Sequence, residues 1–228
     1  VSPASGDQLV VRLLVHRTRN LDGLIGSFAE EFAAPSPALL RRLSPVLGLH
    51  TADLFVIAGL PVPDDLAPVD PAAGTWVPQI ARNVLRLTPE ERRRVRDLVR
   101  SLPPGERVPP VPVPEYERYP PGVAGGAIAG MLRNRNLTWT RAARTLAMLT
   151  GRFLPAATIG AVGHGRKELT RDLVADFAIL LGAPDLLVVA GFPPLARPLP
   201  DADVAALIWD LRNLTAEQAK YVSGVTAG

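Results

Sequence analysis

Between residues 131 and 171 the chain carries eight basic side chains, Arg133, Arg135, Arg141, Arg144, Arg152, Arg166, Lys167 and Arg171, against the single acid Glu168. The whole chain has 25 Lys and Arg against 22 Asp and Glu. Removing the window leaves 25 − 8 = 17 bases and 22 − 1 = 21 acids, so the net charge of +3 resides inside it. Guanidinium groups interleaved with apolar residues neutralise phosphates and release condensed counterions. A solvated Arg-rich helix uses the same residues, and charge alone does not separate the two.

Other chemistries are poorly provided for. His16, His50 and His164 lie far apart, and there is no cysteine, so neither metal-ligand spacing nor a thiol is available. The run from Gly160 to Gly165 is glycine-rich but follows no strand and contains no Gly-Lys-Ser/Thr phrase. No Gly-x-Ser-x-Gly turn presents a nucleophile. Asp64-Asp65 and Glu90-Glu91 read as loop and helix-start charges. The expectation is a protein without catalytic residues, metal or cofactor.

The elements that must position the basic window are helical. The chain has only six Phe and three Tyr, no Asn-Gly hairpin signal, and apolar residues recurring at helical spacing. In the first half the pattern predicts helices over 8–20, a short one over 22–31, and one ending at Gly48 with Leu39, Leu40, Leu43, Val46 and Leu47 on its face. A short helix closes at Gly59, and another starts at Thr88-Pro89-Glu90-Glu91, where a cap, a proline and acids fill the first turn. From 103 to 121 eight of nineteen residues are proline. Such a stretch is either an extended spacer of up to roughly 60 Å or, through Tyr116 and Tyr119, a segment lying against a domain. The apolar run 173–195 is broken by Asp176, Pro184 and Asp185, which favours a buried core over a membrane span. No charged n-region followed by an apolar h-region opens the sequence, so the expected compartment is the cytoplasm.

Phrases recur across the Pro-rich stretch. Leu47-Gly48 returns as Leu181-Gly182, Asp53-Leu54 with Ala58-Gly59-Leu60-Pro61 as Asp185-Leu186 with Ala190-Gly191-Phe192-Pro193, and Leu87-Thr88-Pro89-Glu90 as Leu214-Thr215-Ala216-Glu217. Matches in the same order at similar offsets predict a tandem duplication. The expected organisation is a first domain over 1–102, a Pro-rich linker over 103–125 and a second domain over 126–228.

In the second half the spacing predicts a helix over 127–135 and a second one capped by Thr138 with Trp139, Ala142, Ala143, Leu146 and Leu149 inward. A short helix over 155–163 has Ile159 and Val162 inward, and a fourth carries Leu169 to Leu181. Leu137-Thr138, the small-x-x-leucine phrase from Ala143 to Leu146, the run from Thr158 to Arg166, and Leu181-Gly182 to Phe192 together resemble the Xre-type, lambda-repressor-like helix-turn-helix family. Residues 35–60 resemble its closing part. The resemblance implies an all-α fold of two tandem lambda-repressor-like helix-turn-helix domains, about five helices each, and a bacterial DNA-binding transcriptional regulator.

Two departures stand out. About six extra residues near 150–155 lengthen the link before the recognition helix, and that helix lacks the Arg, Asn or Gln that read base edges. Asp22, Glu30 and Glu31 on the corresponding first-half helix would repel phosphates, so DNA contact is assigned to the second half. The expected DNA-binding set is Arg133, Arg135, Arg141, Arg144 and Arg152 as phosphate clamps and Thr138 at a helix N-terminus. Thr158, Gly160 and Ala161 face outward on the recognition helix, with His164, Arg166 and Lys167 just past it. The expected partner is double-stranded DNA, engaged by a homodimer or by an intramolecular pseudo-dimer of the two halves, with no membrane. The alternative is a degenerate helix-turn-helix scaffold that binds a protein partner or a small apolar ligand without reading DNA.

Overall fold

The computed structural model describes Leu9, Leu13, His16 and residues 35–109, 112–120, 122–195 and 197–227. The helix expected over 8–20 falls within it only at Leu9, Leu13 and His16, which are helical. The short helix expected over 22–31 lies outside the described residues.

All regular structure among the described residues is helical. In order come α1 (Pro37–Leu47), α2 (Thr51–Ile57), α3 (Val77–Val84), α4 (Pro89–Ser101), α5 (Ala124–Arg133), α6 (Trp139–Thr150), α7 (Ala156–Gly163), α8 (Arg171–Leu181), α9 (Leu186–Val189), α10 (Ala202–Asp210) and α11 (Ala216–Val225). Single 3-10 turns lie at Asp64–Leu66, Pro71–Thr75, Glu115–Glu117 and Leu211–Asn213. No helix among the described residues is long and apolar enough to cross a membrane. Val46, expected on the apolar face of α1, turns outward instead and is 60% exposed.

The helix ends follow from local chemistry. The Ser36 hydroxyl accepts from Leu39 N to start α1, and the Thr170 hydroxyl accepts from Leu173 N to start α8. Both helices stop at a glycine with φ 63°, Gly48 and Gly182, a left-handed conformation in which a Cβ would be strained. Leu49 N then donates to Ser44 O, and Ala183 N to Ala178 O, satisfying carbonyls the helix leaves open. α2 and α9 close alike, with Leu60 N on Phe55 O and Phe192 N on Leu187 O. Thr88 with Glu91 caps α4 reciprocally, and Thr215 with Gln218 does the same for α11. The recurring phrases thus make the same local geometry in the same order.

Side chains from both sides of the Pro-rich stretch enter one apolar cluster. Leu54, Phe55 and Ile80 share it with Ile128, Phe177 and Leu187. Its pairings cross the sequence midpoint: α3 packs on α6, α2 on α5, α4 on α10, and α11 on the turn Pro71–Thr75. The Pro-rich stretch takes the docked arrangement rather than the extended one. Its prolines lack N–H groups, so most of the bonds that hold it are donated by side chains. Arg107 Nη1 donates to Ala67 O (2.6 Å) and Gln218 Nε2 to Pro103 O (2.8 Å), joined by Val108 N to Val69 O (2.9 Å).

Candidate nucleic-acid interface

α5, α6 and α7 form a three-helix group in which α7 packs on both others and α6 also packs on α8. α6 follows from its sequence: Ala142, Ala143 and Leu146 are buried on one face, with Trp139 and Leu149 half-buried beside them. α7 inserts Ile159 and Val162 into the core and leaves Ala157 exposed and Thr158 and Ala161 half-buried.

Gly160 does not face outward, which corrects the expected set. It is buried, and a Cβ there would sit 2.5 Å from the Trp139 ring. Its lack of a side chain brings α6 and α7 together. Gly125 on α5 does the same job against α7, where a Cβ would lie 1.9 Å from Val162 O.

Arg135 is the second correction. It is fully buried, at 0% exposure, and its guanidinium is held from three helices. Nη1 and Nη2 donate to Asp53 Oδ1 and Oδ2 of α2 at 3.1 and 2.9 Å. The same nitrogens donate to Met131 O in the last turn of α5 (2.9 Å) and to Leu181 O at the end of α8 (2.7 Å). A cation at two helix C-termini is stabilised by their dipoles and by the carbonyls they leave open. The four Nη hydrogens are all used, and the fifth donor, Nε, is buried without a partner among the described residues, so the side chain presents none to a phosphate approaching from solvent.

Around this pair lies a buried polar network. Asn134 Nδ2 donates to Asp53 Oδ1 (2.8 Å), and Arg212 donates to Asn134 O through Nε (2.6 Å) and to Leu66 O through Nη2. The Arg135 and Arg212 guanidiniums lie 4.8 and 4.2 Å from the Trp209 ring centre. His50 stacks on the same ring at 3.6 Å. Desolvation first, then the nearby Arg135 charge, hold His50 down at about 4, and desolvation holds Arg212 down at about 10. At neutral pH His50 is therefore neutral and Arg212 charged.

Three further bases of the expected set have internal partners. Arg133 Nη2 donates to Glu117 Oε2 (3.0 Å) and Glu117 O (2.9 Å). Arg141 reaches Thr75 Oγ1 (2.7 Å) and Pro71 O (3.3 Å), and Arg152 pairs with Asp176. By contrast Arg144, Arg166 and Lys167 are exposed and make no ion pair among the described residues, as does Arg171. Thr138 caps α6 by position, is exposed, and makes no side-chain capping bond. His164, half-buried, donates from Nε2 to Tyr116 O (2.8 Å).

That last bond belongs to a feature the sequence only hinted at. Residues 115–119 lie across the α6 start and the α7 end. Trp139 Nε1 donates to Tyr119 Oη (2.7 Å), the Tyr116 and Trp139 rings meet edge-on at 5.4 Å, and the Tyr119 ring packs where a Gly163 Cβ would come within 2.4 Å. Burial pushes the Tyr119 phenol up. The lengthened link before α7 holds Phe153 out to solvent at 85% exposure. Among the described residues no three His, Asp or Glu side chains are grouped so as to hold a metal ion.

Comparison with protein-family models, with curated proteins and with solved structures finds no match to this chain.

Proposed function

We propose that the chain binds double-stranded DNA through α6 and α7 and regulates transcription, as an internally duplicated, Xre-like helix-turn-helix protein. The observation that carries the reading is the set of unspent cations. Arg144 on α6, Arg166 and Lys167 past α7, and Arg171 at the start of α8 are exposed, with Glu168 the one acid among residues 131–171. Ala157, Thr158 and Ala161 on α7 would approach the groove closely, suiting thymine-methyl contact and shape over bidentate hydrogen bonding. Thr138 at the α6 N-terminus would receive a phosphate. The repeated caps at Ser36 and Thr170, and at Thr88 and Thr215, support duplication of the two halves.

Four unspent cations set the scale of the test. If each meets one phosphate, log K falls with log salt at a slope of up to about −3.6, and affinity drops roughly a hundredfold between about 50 and 200 mM salt. Fluorescence anisotropy with random duplex DNA measures this. The double variant Arg166→Ala/Lys167→Ala is expected to halve the slope. No binding at low salt by a folded protein would remove the DNA reading.

A second reading is favoured by the three ion-paired arginines, Arg133, Arg135 and Arg152, and by Phe153 beside Met148 on a shallow cavity of about 320 Å³. In it the helix-turn-helix is a scaffold that docks a protein partner. Negative anisotropy together with pull-down of a partner that Phe153→Ser releases would establish it.

A further inference from the structure

A groove of about 1080 Å³ runs between the docked Pro-rich stretch, α5 and the loop that follows α2. Its size is that of sites that enclose drug-sized molecules. The sequence explains its walls. Gly130 and Gly126 of α5 let Val56 and the Tyr119-Pro120 backbone pack close against the helix, where a Cβ would come within 2.5 and 3.1 Å of Val56 and Tyr119, and Pro61, Pro68, Pro112 and Pro114 supply walls without N–H donors. Val56, Leu60, Val62 and Val113 complete an apolar lining.

The charged groups on the walls are Asp64, Glu117, Arg118, Arg133 and Arg141, three cations against two acids. Glu117 is spent on Arg133. Arg141, at the end of the groove formed by Pro71, Ala72 and Thr138, is different. It is half-buried, and every acceptor it has is neutral: Pro71 O, Asn136 O and the Thr75 hydroxyl. Among the described residues no carboxylate lies within ion-pair distance of it. Desolvation by burial lowers its pKa. A half-buried cation matched only by dipoles, opening on an apolar groove, is complemented by an anion with an apolar body.

We propose that this groove binds a small amphiphilic carboxylate. The carboxylate sits at Arg141, and the alkyl or aryl body lies along α5 beneath Val113 and Pro114. The inference does not depend on whether α7 meets DNA.

Calorimetric titration of the full chain with decanoate below its micellar concentration tests it, with decanol as the neutral counterpart. Saturable single-site binding is expected, tighter for decanoate than for decanol by about tenfold. Arg141→Met should abolish that preference, and Arg141→Lys should keep it in part. Val113→Trp, at a half-buried groove residue outside the apolar core, should weaken both ligands by tenfold or more. Absence of saturable binding, equal affinity for decanoate and decanol, or decanoate binding untouched by both Arg141→Met and Val113→Trp would each overturn the proposal.

Discussion

Removing the Asp53 carboxylate tests whether Arg135 is a structural cation. The guanidinium of Arg135 is at 0% exposure, and in Asp53→Ala it keeps Met131 O and Leu181 O as acceptors but loses both bonds to its counter-charge. Asn134 Nδ2 loses its acceptor as well. Breaking a buried pair from one side costs about 3–5 kcal/mol, because a buried charge is left uncompensated. That is a large share of the roughly 5–15 kcal/mol by which a domain is stable. For a chain of this length it corresponds to a melting temperature lower by roughly 6–20 °C. Urea unfolding followed by circular dichroism reads the loss as a shifted midpoint at constant slope. The exposed pair Arg41–Asp65, with side chains 44% and 62% accessible, serves as the control. Asp65→Ala there should cost less than about 1 kcal/mol. The double variant Asp53→Leu/Arg135→Met should recover part of the loss, and only part, since Met131 O and Leu181 O then lack a donor. A cost below about 1 kcal/mol for Asp53→Ala would refute the reasoning and return Arg135 to the candidates for phosphate contact.

Gly125→Ala gains about 1 kcal/mol of helix propensity but drives a Cβ to within 1.9 Å of Val162 O. Overpacking should win, with net destabilisation of roughly 1–2 kcal/mol in a thermal melt, whereas Gly224→Ala on α11, where nothing lies within 4 Å, should stabilise slightly. His50 should titrate in the folded protein near 4, below its ordinary 6.5, and an NMR midpoint near 6.5 would contradict its environment. The sign follows from proton counting: below about pH 6.5 the unfolded chain binds the extra proton first, so stability contributed by neutral His50 is complete above 6.5 and declines as pH falls towards 4. His50 nevertheless keeps an exposed surface, and solvent screening there reduces the size of that decline. Tyr119→Phe removes the acceptor of Trp139 Nε1 and should alter tryptophan emission while costing about 1 kcal/mol.

The sequence by itself determined the helical class, most helix ends and the caps. Those depend on neighbours within four residues: Thr88 with Glu91, Thr170 before Leu173, a glycine after Leu47 and after Leu181. Apolar spacing likewise named the inward residues Ala142, Leu146, Ile159 and Val162, because a helical repeat fixes which side chains share a face. The sequence also marks Arg135 by repetition: Arg17-Thr18-Arg19-Asn20-Leu21 recurs as Arg133-Asn134-Arg135-Asn136-Leu137, alongside the repeated Asp-Leu phrase. Only the tertiary structure decided which arginines were free. Arg135 and Arg144 are the same residue type nine positions apart, yet one is enclosed by Asp53, Met131 and Leu181 and the other faces water. Charge periodicity cannot distinguish them, since the partner that neutralises Arg135 lies 82 residues away. Gly160 was misread for the same reason: its packing against Trp139 is set by how two helices cross, which no local pattern records. The groove arises where prolines, glycines and a half-matched arginine from distant segments meet, so it exists only once the chain has folded.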